Sequence, residues 1–210
     1  FWKYLMSNLI KRILSSIILL PLVLYFMLMG SFYLKFLIMI CFLASTYEWH
    51  KMVKKINYKL LGFIFLFFSF YTFYELSIKY TILIPFFICI STDIGGFVFG
   101  KIFKGPKLTK ISPNKTYAGM IGGYFLSIIF ISLYFNYLNH EVTIVWFITT
   151  ILISSVSQMG DIIISYFKRL SNLKNTGNII PGHGGILDRI DGMIFAFPIY
   201  YLIELSGYLI

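Results

Sequence analysis

SYFKRLSNLKNTGNIIPGHGGILDRIDGMIFAFPIYYLIEL, residues 165–205, joins two kinds of chain that seldom meet. Its end, MIFAFPIYYLIEL, is apolar or aromatic apart from Glu204. Just before it, Gly182, Gly184 and Gly185 surround His183, and Asp188, Arg189 and Asp191 follow within four positions. Upstream, MGDIIISYF (159–167) is apolar again around a single acid, Asp161. A polar knot stands where an apolar helix begins, so one stretch poses both the question of fold and the question of chemistry.

The 210 residues are 59% hydrophobic, 20% aromatic and only 12% charged. A soluble domain is about 45–50% apolar and about 25% charged, so an all-α integral membrane protein is expected. Runs of about 17–25 apolar residues can cross a bilayer as helices. They fall at 13–30, 31–47, 60–75, 80–97, 117–138, 142–164 and 190–210, which predicts a polytopic bundle of about seven helices. The polar pieces between them, 1–12, 48–59, 98–116 and 165–189, hold sixteen of the 18 Lys and Arg residues. If seven helices alternate, these pieces share one side, and the positive-inside rule makes that side, with the N-terminus, cytoplasmic. The net charge of +10 is then a topological signal, not a nucleic-acid footprint. Such loops also attract anionic lipid. Glu48, Trp49 and His50 read as an interfacial cluster. Cys41 and Cys89 sit inside apolar runs, as buried thiols without disulfide or zinc spacing. No small-residue cleavage site follows the first apolar run, so a cleaved leader is not expected.

Four of the eight acids, Asp93, Asp161, Asp188 and Asp191, lie within or beside apolar runs near their expected cytoplasmic ends. An Asp at bilayer depth costs roughly 2.5–3.5 kcal/mol on insertion scales and normally faces a polar interior. Four on one face favour a cation site over isolated Lys partners. Asp188 and Asp191 are three apart, so a helix starting near Asp188 would direct both carboxylates to one face. Oxygen ligands suit Mg²⁺, which takes one or two carboxylates together with substrate phosphates.

PGHGG (181–185) can bend the chain so that successive N–H groups form an anion nest at a helix start, although a simple loop-to-helix turn would also explain Pro181 and one glycine. KGPKLTKISPNKTYAGMIGG (104–123) adds Lys104, Lys107, Lys110 and Lys115 with the hydroxyls of Ser112 and Thr116, a set suited to a triphosphate or simply to solvent. GKIFKGPK (100–107) lacks the ending of a Walker A motif.

The segment Ser165–Gly192 resembles the signature of the phosphatidate cytidylyltransferases, or CDP-diacylglycerol synthases. The matching residues are Ser165, Lys168, Arg169, Lys174, Pro181 to Gly185, Asp188, Arg189 and Asp191. STDIGGFVFGKIFKGPKLTKISPNKTYAGMIGG (91–123) and SQMGD (157–161) are similar to further family segments. The chain departs from the family at Asn175, where an Asp is usual, and at Ile164, where a Glu is usual; residues up to 75 match only loosely. The resemblance implies one membrane domain over 1–210, with N-terminal helices in 1–79 and a catalytic core in 80–210 carrying loops 98–116 and 165–189. It implies the reaction of CTP with phosphatidic acid to CDP-diacylglycerol and pyrophosphate, on the cytoplasmic face of a membrane such as a bacterial inner membrane, with Mg²⁺ as one cation or two.

On that reading Asp188, Asp191 and Asp161 are the metal ligands, with Asp93 as a weaker fourth. Lys168, Arg169, Lys174 and Arg189 neutralise phosphates, and Ser112, Lys115, Thr116, His183, Gly184 and Gly185 hold nucleotide or headgroup. The phosphate nucleophile is already anionic, so positioning and charge stabilisation supply most of the catalysis and no strong base is needed. Membrane lipid is a partner, nucleic acid is not, and a homodimer is compatible with so few spans. The competing readings are a CTP-dependent polyprenol or phytol kinase, a cation-coupled transporter, whose sites lie nearer the midplane, and a relative weakened or inactivated by Asn175 and Ile164. The CDP-alcohol phosphotransferase motif is absent.

Overall fold

A computed structural model describes residues 17–208 except 19, 20, 24, 27, 28, 30, 80, 181 and 183. The expected first span, 13–30, lies largely outside the described residues. Among the described residues from Ser31 onward there are seven helices: α1 (Ser31–Met52), α2 (Ile56–Ile78), α3 (Leu83–Phe103), α4 (Tyr117–Tyr137), α5 (Ile144–Leu170), α6 (Leu187–Ile190) and α7 (Met193–Leu205). Among the described residues there is no strand, only isolated bridges between Lys107 and Thr116 and between Ile180 and Gly184. A helix satisfies its own backbone polar groups, as lipid demands. Among the described residues five helices, α1 to α5, are long and apolar enough to cross a membrane.

The expected last span, 190–210, takes a different form. It consists of the four-residue α6, a turn, and the 13-residue α7. At 1.5 Å per residue α7 is about 20 Å long, against about 30 Å of hydrocarbon. It also contains Pro198, which removes one internal hydrogen bond. The described residues therefore give five candidate spans and one shorter apolar helix.

The chain's contacts form two compact units, one of Phe1–Tyr80 with Phe167–Ile190 and one of Thr81–Tyr166 with Asp191–Ile210. In the first unit, α1 runs past its expected end at 47 to Met52, and only Val53–Lys55 separate it from α2. Trp49 closes this hairpin. Its indole N–H donates to the Lys59 carbonyl at 3.2 Å, and its ring lies where any side chain at Gly62 would be. Phe167 packs edge-on against that ring, 4.9 Å between centroids. Trp49 is thus only 5% exposed, a core residue instead of the interfacial anchor expected from hydropathy.

In the second unit, α3 and α4 meet backbone to backbone. A Cβ on Gly95 would collide with the Gly122 carbonyl, and one on Gly119 would come within 2.7 Å of the Gly96 carbonyl oxygen. Small residues that admit such approach are the usual means of joining helices in lipid, where no hydrophobic force acts between them. α5 joins through hydroxyls: Thr92 donates to Ser154 at 2.8 Å, and Tyr124 pairs with Ser155 at 2.9 Å. Gly160 of α5 faces Phe195 and the Asp191 carbonyl, while Gly192 faces Ser157.

Candidate active site

In the first unit the signature segment folds around two carboxylates. Asp188 accepts from the Lys168 ammonium at 2.8 Å through Oδ1, and from the Thr176 and Gly185 amides at 2.8 and 3.0 Å through Oδ2. The side chains of this ion pair are 10% and 6% exposed, for Lys168 and Asp188 respectively. Lys168 lies in the last turn of α5, which runs beyond the expected end at 164, and cations are favoured at that end of a helix.

The second carboxylate is Glu48, buried at 1% exposure. It accepts from the Thr176 hydroxyl at 2.8 Å and from the Ile186 and Leu187 amides, both at 2.9 Å. At the end of the glycine-rich bend and just after it, backbone amides converge on the protein's own carboxylates. The Gly184 amide closes a narrow turn by donating to the Ile180 carbonyl at 3.2 Å. Gly184 has φ of +89°, and a Cβ there would come 2.8 Å from Asp188 Oδ2. The amides of Gly184 and Gly185, expected to meet a phosphate, donate to the Ile180 carbonyl and to Asp188, and the next two amides, of Ile186 and Leu187, donate to Glu48. Pro181 and His183 lie outside the described residues, so the role expected of His183 has no structural counterpart here. Arg169, Lys174, Asn175 and Arg189 are exposed; Arg169 donates to the Leu173 carbonyl at 3.1 Å.

Asp161, in the second unit, is bound by Lys115, whose ammonium also donates to the Gln158 carbonyl at 3.3 Å. Lys115 arrives there because residues 106–117 form a tight loop. The Leu108 amide donates to the Lys115 carbonyl at 2.8 Å, the Lys115 amide to Ser112 O at 3.0 Å, and the Tyr117 amide to Pro106 O at 3.2 Å. Thr116 caps α4, its hydroxyl oxygen accepting from the Gly119 amide at 3.1 Å. Asp191 accepts from the Gly192 amide at 2.9 Å. A Cβ on Gly160 would be 2.9 Å from Asp191 O, so Asp161 and Asp191 leave the backbone near one contact. Asp93 is exposed on α3.

One expectation changes. Asp188 and Asp191 do not share the face of one helix, because α6 ends at Ile190 and α7 starts at Met193. Asp188 belongs to the first unit and Asp191 to the second. Among the described residues, no three of His, Cys, Asp and Glu gather as a metal cage.

A family description, the cytidylyltransferase family, matches residues 58–206. A phosphatidate cytidylyltransferase of Rickettsia prowazekii is 36% identical over 212 residues, covering 95% of this chain and 93% of that protein. The chain belongs to the cytidylyltransferase family. A phosphatidate cytidylyltransferase of Rickettsia bellii is 38% identical over 213 residues, 94% of this chain and 91% of its own length. One of Staphylococcus aureus reaches 44% over 129 residues, 60% of this chain and 49% of that protein.

The family match begins at residue 58 and so omits Glu48, as sequence reasoning did. Glu48 and Trp49 end an apolar run beside lysines, which reads as a membrane surface. Glu48's partners lie 128 to 139 positions away, beyond the reach of any local pattern. The one available signal was the acid itself, placed at the end of an apolar run.

Proposed function

We propose that the protein is a phosphatidate cytidylyltransferase, joining CTP and phosphatidic acid into CDP-diacylglycerol with release of pyrophosphate. The observation that carries this reading is the match, along 95% of the chain, to relatives of that name. The signature holds the enclosed Lys168–Asp188 ion pair beside exposed Arg169, Lys174 and Arg189, a concentration of charge that suits a reaction between two anionic partners.

The ion this chemistry implies is Mg²⁺, and the residues fit one that arrives with the nucleotide. Mg²⁺ needs only one or two carboxylates when phosphates supply other oxygens, so the missing cage is no obstacle. Asp161 and Asp191 would hold it, and the Lys115 ammonium on Asp161 marks that carboxylate as a site for positive charge. Asp93 stands as a further proposed ligand, and Asp188, which holds Lys168, keeps the ligand role the signature implies as a proposal of its own. When bound, the ion would neutralise charge on the phosphates and the leaving pyrophosphate. Lys168, Arg169, Lys174 and Arg189 would attract and orient the phosphates, with Lys115, Ser112 and Thr116 holding the nucleotide from loop 104–116. Gly184 and Gly185 contribute through the shape of their loop. The nucleophile is a lipid phosphate oxygen, which needs no base from the chain.

We further infer seven membrane segments, with 13–30 as the first and the broken segment 190–210 as the last, a cytoplasmic N-terminus and reaction on the cytoplasmic face. Supporting this, sixteen of the 18 Lys and Arg residues lie in the four polar pieces that alternation assigns to one side. A homodimer is part of the same proposal.

Purified protein with phosphatidic acid and labelled CTP should form CDP-diacylglycerol and pyrophosphate in equal amounts with Mg²⁺, and neither with EDTA. A folded, CTP-binding sample that yields no product would reject the reaction and direct attention to Asn175 and Ile164.

A further inference from the structure

We propose that Glu48, outside both the signature and the family match, is a positioning residue for the reaction: it locks residues 176–177 to 184–187, the two ends of one segment, in the arrangement that presents Lys168, Asp188 and Arg189. Glu48 grips both ends of this segment, Thr176 through its hydroxyl and Ile186 and Leu187 through their amides. Thr176 and Gly185 in turn donate to Asp188, and Asp188 holds Lys168. One buried carboxylate on α1 therefore governs the lysine through a continuous set of bonds inside a single unit.

Two glycines are shaped to this acid. A Cβ on Gly177 would come 2.6 Å from Glu48 Oε1, and one on Gly185 would enter the Glu48 carboxyl itself. The requirement for glycine at 185 is thus a requirement to admit Glu48. At 1% exposure Glu48 is shielded from solvent, so its carboxylate depends on these donors and they on it. That mutual dependence makes the contact a lock.

The proposal rests on the reading that this segment serves cytidylyl transfer, so the test must separate the two. Full-length Glu48→Gln and Thr176→Val would be compared with the native protein in detergent by thermal unfolding, hydrogen exchange over 176–187, and kcat and KM. Glu48→Gln keeps an oxygen acceptor but turns an amide towards N–H donors. It should exchange about tenfold faster in that segment and lose about tenfold or more in kcat, with KM changing less than about threefold. Thr176→Val should lose a few-fold in kcat without a change in thermal midpoint. The double variant should be no worse than Glu48→Gln, because both act through one contact.

Native kcat in Glu48→Gln, with the segment either protected or loosened, overturns the proposal. If that variant fails to fold, native kcat and protection in Thr176→Val overturn it. Lys168→Met and Asp188→Asn serve as reference. If they are inactive while Glu48→Gln is native, only the role of Glu48 fails. If they retain native turnover, the assignment of the segment to the reaction fails, and the proposal with it.

Discussion

Asp188 is where the proposed chemistry and the structure share one side chain. Replacing it with Asn removes the counter-charge 2.8 Å from a Lys168 that is almost wholly enclosed. Breaking such a pair from one side is expected to cost about 3 kcal/mol, read as a lowered unfolding midpoint, alongside loss of turnover. Asp161 is partly exposed, with 28% of its side chain accessible, and its pairing with Lys115 carries less stability. Asp161→Asn should therefore leave the midpoint nearly unchanged while reducing Mg²⁺-dependent turnover on the order of a hundredfold. Native turnover in that variant would remove Asp161 from the proposed ligands. The pattern of acids in the sequence singled out Asp161 and Asp188 but not Glu48. A pattern weighs a residue by its neighbours along the chain, and Glu48 has its partners in a loop more than 120 positions away.

At the scale of elements, the α3–α4 pair depends on the absence of side chains. Gly95→Ala would drive a methyl group into the Gly122 carbonyl, and overpacking of this kind costs about 1–3 kcal/mol. Ile121→Ala, on the exposed side of α4, should stay within about 0.5 kcal/mol. Equal midpoints for the two variants would show that the helices are not held by this contact. Hydropathy located all five long helices, because each must be apolar to lie in lipid. It missed their ends at Met52 and Leu170, where Glu48, Trp49 and Lys168 extend the helices while turning polar groups inward. It also read one span through 190–210, since it cannot register the break between Ile190 and Met193.

At the scale of the whole molecule, the proposed orientation predicts which connections face the same solvent. With Cys41 and Cys89 replaced by Ala, a cysteine introduced at exposed Lys110 should react with an impermeant reagent only from the cytoplasmic side. One at exposed His140 should react only from the other side. Labelling of both from one side would overturn the alternation. Contacts also group the signature segment with the N-terminal helices, across a sequence separation that suggested a loop of the C-terminal core.

The sequence by itself determined that the chain is helical and lies in a membrane, and which family it belongs to. Composition and basic-loop spacing are sums over many residues, and a long signature with set spacing survives without knowledge of any contact. Only the tertiary structure decided which groups the amides at the glycine-rich bend meet, which acids share a helix, and what Gly185 makes room for. Each of these depends on a few atoms at hydrogen-bond distance, brought together from parts of the chain whose separation carries no periodic signal. A buried carboxylate and a surface carboxylate have the same letter; their difference is the set of donors that folding places around them.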